Sequence, residues 1–364
     1  MRLSYAVPMT ALCLLCLSAS RCSAPPSSPA GRRVSIVAYN VKSLFDAADD
    51  GAEFPEFSVA KGKWDDARYR IRLANVAAAV LAAVPSSGGP PGPDVLCLEE
   101  IENGKVLEAL RSGPLSASRY RYAAVAPAEG GPFSVCVLSR LPMLASACHA
   151  ASTPAGRVGR AILELDLDAG GRRLVLLACH WKSKSEGAEA TEEARREEAA
   201  LVRGRVAART GADPGVELVV CGDFNESPDE YLRADRRYAT ALMPVEEATP
   251  GRGPATAGGS RPARLLVASA PAQAAPLDGE VVLYSPWEVS GGYSYSFRGS
   301  RERFDGFLLS PGLLDARGLR FAGFSPAGAA FLMDAEGVPF AWPGPGAAGY
   351  SDHLPVLLTL EEKT

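Results

Sequence analysis

The chain is poor in histidine and asparagine, with three of the first and four of the second among 364 residues. It also lacks a basic excess, since 38 Lys and Arg stand against 42 Asp and Glu, for a net charge of −4. That balance excludes a histone-like nucleic-acid coat, but not an enzyme that grips phosphates in one local groove. Cysteine is sparse past the N-terminal region, where only Cys97, Cys136, Cys148, Cys179 and Cys221 occur. Their odd number and unpaired spacing give neither a disulfide framework nor a zinc site. Four of them sit in apolar runs, where a free thiol behaves as a small hydrophobe. No run beyond the leader has the length and apolarity to cross a bilayer, which needs roughly 20 residues. With 47% hydrophobic and 22% charged residues, collagen-like, coiled-coil and wholly disordered chains are excluded as well.

Residues 1–24 read as a secretory signal: Arg2, an apolar stretch over 11–17, then small residues. The segment from Leu17 to Cys22 looks like a loose bacterial lipobox, with Arg21 an unusual residue before the cysteine. Two outcomes follow. Either Cys22 is lipidated and residues 25–32, rich in Pro and Ser, form a flexible spacer, or the leader is cleaved nearby and the protein is secreted. Both predict export.

From residue 33 strand-like runs alternate with helical ones, which predicts one α/β domain (α+β in detail) over 33–362. Strands are expected at 34–39, 94–98, 134–139, 160–167, 172–179, 216–221, 304–309 and 354–360. The 160–167 run alternates Leu with Glu164 and Asp166, which predicts one solvent-facing side. Helices are expected at 65–84 and 189–209. Residues 249–279, rich in Ala, Pro and Gly, read as a long loop.

Several of these runs end in a residue that can meet a metal or a phosphate: Asn40, Glu99-Glu100, His180, and Asp223 with Asn225. Asp305 interrupts an apolar run, and Asp352-His353 precedes the last one. Strand ends are rigid supports at which open α/β sheets place ligands. Taken singly, each residue has an ordinary reading. Asn40 can cap a turn, Glu100 can be solvated, and Asp223 and Asn225 can make an Asx turn. Asp305 is harder to explain away, because a carboxylate in an apolar run needs a partner, for which a histidine is suited.

In order, these blocks resemble the endonuclease/exonuclease/phosphatase superfamily, over about residues 34–360. Residues 39–46 (Tyr-Asn-Val-Lys-Ser-Leu-Phe-Asp) are similar to its opening motif, and residues 94–103 to its Asp-Ile-x-x-Leu-Gln-Glu-Val-Glu-Asn block. His180-Trp181-Lys182-Ser183-Lys184, Gly222-Asp223-Phe224-Asn225, Phe304-Asp305 and Ser351-Asp352-His353 complete the set. The Trp64 helix and the His-Trp-Lys-Ser-Lys form look most like a secreted, nuclease-like bacterial branch. The resemblance implies a four-layer sandwich, two mixed β-sheets face to face with helices outside. It also implies a phosphoric ester hydrolase dependent on Mg²⁺, with Mn²⁺ as a substitute. Its metal ligands would be Asn40, Glu100 and Asp352, with Glu99 standing where the family usually has Gln. His180, Asp223, Asn225, Asp305 and His353 would be the catalytic groups, with either His353 or Asp223 taking the proton from water. The implied substrate is a phosphodiester, DNA or RNA, and no protein partner is implied for a monomer whose only membrane contact is the lipid anchor. A phosphomonoesterase or a sphingomyelinase-type lipid hydrolase would use the same centre. A non-catalytic surface binding protein is the alternative of another class. Arg157, Arg160, Arg172, Arg173, Arg298, Arg301 and Arg303 are candidates to face phosphate, and Tyr293, Tyr295 and Phe297 for a projecting aromatic loop. His149 reads as structural, without polar company.

Overall fold

The structure is a computed structural model. It describes residues 31–362, apart from residues 52, 86–87, 128–130, 154–155, 249–263, 278 and 345–347 and the side chains of 151–159. The leader and the lipobox therefore lie outside the described residues, as does the side chain of Arg157.

Among the described residues sixteen strands are formed. They are β1 (Arg33–Leu44), β2 (Val95–Ile101), β3 (Tyr122–Ala126), β4 (Ser134–Ser139), β5 (Met143–Thr153) and β6 (Gly156–Asp168). Next come β7 (Arg173–His180), β8 (Glu217–Asp223), β9 (Leu242–Pro244), β10 (Leu265–Ala268) and β11 (Val282–Tyr284). The last are β12 (Tyr295–Phe297), β13 (Ser300–Glu302), β14 (Asp305–Leu309), β15 (Leu319–Pro326) and β16 (Val356–Glu362). The three longer helices are α1 (Asp66–Ala82), α2 (Gly104–Ser112) and α3 (Glu192–Ala212).

One mixed sheet runs β15-β16-β1-β2-β4-β3 and the other β5-β6-β7-β8-β14-β11-β10-β9, with β12 and β13 as a separate hairpin. Val34, Ile36 and Ala38 of the first sheet and Leu176, Ala178, Val219, Cys221, Phe307 and Leu309 of the second share one buried cluster between the sheets. The alternate residues of β1 and β2, such as Val37, Tyr39, Leu96 and Leu98, pack with Leu73, Val76 and Val80 of α1 and Leu107 and Leu110 of α2. Those of β7 and β8 pack on Ala199, Val202 and Val206 of α3. Helix, sheet, sheet and helix thus form four layers. Strands apolar on both faces are what burial on both sides demands. No helix of the described residues is long and apolar enough to cross a membrane.

Three expectations are corrected. The polar side of β6 is not solvent-facing: Glu164 and Asp166 are only 2% and 6% exposed. Helix α3 covers them and brings Arg205 and Arg209 to Glu164 at 2.6 Å and Arg209 to Asp166 at 2.9 Å. His149 does have polar company, with its Nε2 2.8 Å from Glu164. The proposed loop 249–279 contains β10, a buried strand paired in parallel with both β9 and β11.

Candidate active site

The alternation that points Val34, Ile36 and Ala38 between the sheets places Asn40 on that same face, where the register of β1 with β2 shifts. By the same count Glu99 ends the inward face of β2, His180 that of β7, Asp223 that of β8, and Asp305 opens that of β14. The registers align them: Asn40 lies opposite Glu99 in one sheet, while Asp223 lies opposite both His180 and Asp305 in the other. The apolar core is therefore capped at one edge by a layer of polar side chains, contributed by both sheets. Asn40, Glu99, His180, Asp223 and Asp305 are all at most 3% exposed.

Glu100 should point outward by alternation. It does not, because β2 carries an irregularity between Leu98 and Ile101 and Glu100 adopts a left-handed φ of 62°, a bulge that re-aims one side chain. The bulge sends the two neighbours to different places. Glu99 lies between the sheets, and Glu100 reaches the mouth, where its Oε1 accepts Asn40 Nδ2 at 3.2 Å and its Oε2 accepts the Ser43 amide at 2.9 Å. Asn40 Nδ2 also donates to Asp223 Oδ2 at 2.9 Å, and its Oδ1 accepts the Lys42 amide at 3.0 Å. In this arrangement Asn40 offers its nitrogen to the centre. It ties the two carboxylates together and is not placed as an oxygen ligand.

His353 Nδ1 meets Asp305 Oδ2 at 2.7 Å, the partner that this buried carboxylate requires. The other face of the imidazole points at Asp223, with Nε2 3.9 Å from its Oδ2. His180 Nε2 lies 3.7 Å from Asp223 Oδ2 and 3.9 Å from Glu100 Oε1. Asp352 departs in part from its expected role as a metal ligand, because Lys42 Nζ holds its Oδ2 at 2.8 Å. Asn225 departs too. The chain turns after Asp223, Asn225 adopts φ 49°, and its Nδ2 donates to the Trp181 carbonyl at 3.0 Å while its amide caps Asp223 Oδ1 at 2.8 Å. It braces the loop that carries Asp223.

The electrostatics follow from these placements. Burial raises Asp223 to about 6, with Asp305 adding and His353 and Asn40 opposing. Burial also raises Glu100 and drives Glu99 well above the usual carboxylate range, with Asp305 and Asp223 contributing. Both Glu99 oxygens are buried without a hydrogen-bond partner, so no donor offsets the cost that burial puts on its charge. Burial works against a charge on His353, yet Asp305 and Asp223 outweigh it and lift the ring to about 10. Burial, then Arg160 and His353, push His180 well below its usual value. Burial opposes ionisation of Asp352, but His353 and Lys42 hold it below the ordinary range.

Lys42, Ser43 and Tyr295 were not picked out for the centre by the sequence. Tyr295 bridges to the His353 backbone and lays its ring 4.5 Å from the imidazole. The alternating Tyr293–Phe297 run was the available signal for it. Of the candidate arginines, Arg160 is anchored next to His180, its Nη1 donating to the Trp181 carbonyl at 2.8 Å. Arg172 and Arg173 do not face the centre. They stand at the opposite end of β7 from His180, where Arg172 pairs with Glu362 and Arg173 with Asp166. Arg303 pairs with Glu288 at 2.6 Å. Arg298 lies over the Phe297 ring and Arg301 over that of Tyr293.

The model of the Endonuclease/Exonuclease/phosphatase family matches residues 35–240. The chain belongs to that family. It is a hydrolase of the nuclease and phosphatase type. No curated protein matches it in sequence. Among solved structures it is similar to the human nocturnin catalytic domain, with 16% identity, coverage of 91% of this chain and 94% of the other, and a TM-score of 0.52. An endonuclease/exonuclease/phosphatase from Bacteroides vulgatus is 15% identical over 91% and 100% of the two chains, with a TM-score of 0.52. A truncated Caenorhabditis elegans TDP2 is 16% identical over 90% and 98%, with a TM-score of 0.50. At these identities the likeness is one of fold.

Proposed function

We propose that this family member is an exported, Mg²⁺-dependent phosphodiesterase whose substrate is nucleic acid. The observation that carries the reading is the buried Asp305–His353 pair at 2.7 Å, aimed at Asp223, across the same mouth from Glu100 and Asn40. The donor set fits a hard divalent cation. Glu100, Asp223, Asp305 and Asp352 outnumber the Lys42 and His353 cations facing them, and Asp223 and Glu100 are both held above the ordinary carboxylate range. Asp305 and His353 spend their contacts on each other and Asp223 faces His353, so Glu100 would hold the ion, with Asp352 at the rim. Bound there, Mg²⁺ would neutralise charge on the phosphoryl oxygens.

The chain's own groups divide the remaining work. Asp223, with its pKa at about 6, is ionised at neutral pH and suited to accept the proton of the attacking water. His353, kept charged by Asp305, donates from Nε2 toward a phosphoryl oxygen, a role in which a positioned cation stabilises charge developing on the phosphate. Neutral His180 offers a hydrogen bond from the side of Glu100 and Asp223. Tyr295, the half-exposed Phe297, Arg298 and Arg301 form one hairpin beside His353. Aromatic faces interleaved with guanidinium groups suit a strand of stacked bases and phosphates.

The test is hydrolysis of plasmid DNA, RNA, sphingomyelin vesicles and inositol phosphates by purified protein, with Mg²⁺ and with EDTA. Cleavage of nucleic acid with Mg²⁺ and none with EDTA is expected. Turnover of lipid or phosphomonoester alone would reassign the substrate, and no turnover of any would favour a binding protein. Export through the residue 1–24 leader, with Cys22 as lipid anchor, predicts a membrane-bound product that Cys22→Ser releases in soluble form.

A further inference from the structure

Away from the polar cap, Asp50, Glu53 and Glu102 each bring a carboxylate oxygen within 4.8 Å of the other two. Glu102 follows the end of β2 and is 6% exposed. Its Oε2 accepts the Asp46 amide at 2.7 Å, while its Oε1 is shut off from solvent with no hydrogen-bond donor. Glu53 accepts the amides of Asp50 and Gly51. Among the described residues neither Glu53 nor Glu102 has a lysine or arginine in ion-pair range. Three carboxylates at that spacing repel one another, and a buried oxygen with no donor in the protein loses its solvation without return. A cation placed among them removes both penalties.

We propose that Asp50, Glu53 and Glu102 form a second, structural cation site, and that it takes Ca²⁺. The donors are all carboxylate oxygens from an irregular segment and a strand end. Ca²⁺ accepts such mixed mono- and bidentate sets, whereas Mg²⁺ demands near-octahedral geometry and keeps its waters. The ion clasps the acidic segment after β1 to the end of β2. Asp46 links the two, since its amide is held by Glu102 and its carbonyl accepts the Trp64 indole N–H at 2.8 Å. Glu102 lies two residues beyond Glu100, so the clasp steadies the strand end that positions Glu100. The inference does not depend on the substrate, because binding and stability are its readouts.

The experiment titrates Ca²⁺ into metal-free full-length protein and follows it by calorimetry and by thermal unfolding. It compares the wild type with Glu53→Gln, Asp50→Asn and, as a control on the catalytic centre, Glu100→Gln. Glu53→Gln and Asp50→Asn, both at the open side of the cluster, should each weaken Ca²⁺ binding about tenfold or more and remove most of the Ca²⁺-induced rise in Tm. Glu100→Gln should keep both. The proposal is overturned if Ca²⁺ neither binds nor stabilises the wild type, or if Glu100→Gln alone abolishes the effect. It is also overturned if, in Glu100→Gln, Mg²⁺ stabilises as much as Ca²⁺ at equal concentration.

Discussion

Replacing Asp305 with asparagine tests the electrostatic core of the site, because it removes one charge and leaves the shape. Asp305 is fully buried and its Oδ2 sits 2.7 Å from His353 Nδ1. A charge-assisted hydrogen bond is worth about 1.5–3 kcal/mol, and one pKa unit corresponds to about 1.4 kcal/mol. Asp305→Asn should therefore lower the His353 pKa by about 1–2 units from its position near 10. The sign for stability follows. A histidine whose folded pKa is raised contributes stability that is complete below its unfolded value, near 6.5, and is lost as pH rises toward 10. In the variant that loss should finish at lower pH. Because the chain has three histidines, the ring protons can be followed one by one by NMR, with His180→Gln and His149→Gln giving the assignments. Turnover of a chromogenic phosphodiester with Mg²⁺ should fall by about 10²–10⁴ in kcat. An unchanged His353 titration, or a kcat within about threefold of wild type, would refute the argued role of the pair.

Other expectations follow from the same geometry. With Asp223 as base, kcat/KM should fall as pH drops below about 6, and Asp223→Asn should flatten that acid limb along with its low residual rate. A limb that persists in the variant belongs to another group. Glu99→Gln replaces a neutral acid with a neutral amide of the same shape, so at low pH its stability should match wild type. As pH rises through the elevated Glu99 pKa the wild type loses stability that the variant keeps, and urea midpoints at several pH values will show whether the gap opens in that direction. Gly222 has φ +128°, and a Cβ there would run into the Cys179 carbonyl on β7. Gly222→Ala should cost about 3 kcal/mol or more, read as a lower urea midpoint, and a midpoint equal to wild type would show that the β7–β8 approach can relax.

The residues of the centre were legible because they break a pattern. Asn40, His180, Asp223 and Asp305 are polar where inward alternation calls for Val, Leu or Ala, and nothing but a shared mouth accounts for four such breaks at strand ends. The strands carrying them were legible for the same reason, since runs buried on both faces are apolar throughout. What stayed hidden depends on partners distant in sequence. Strands β9 to β11 have only three or four residues each and exist because neighbours supply their hydrogen bonds. The polar face of β6 reads as wet until α3 lays Arg205 and Arg209 across it. Lys42 reads as one more surface cation until the 310-residue separation from Asp352 closes to 2.8 Å. Glu99 and Glu100 make the sharpest case. As letters they are interchangeable, and one positive φ decides which is enclosed between the sheets and which reaches the mouth. That φ is stabilised by Asn40 and Ser43 holding the Glu100 carboxylate. The choice between two adjacent glutamates is thus made by residues some sixty positions upstream, and the same Asn40 amide that holds Glu100 also holds Asp223. Loss of that amide should accordingly disturb both sides of the centre at once, which no reading of β2 alone would anticipate.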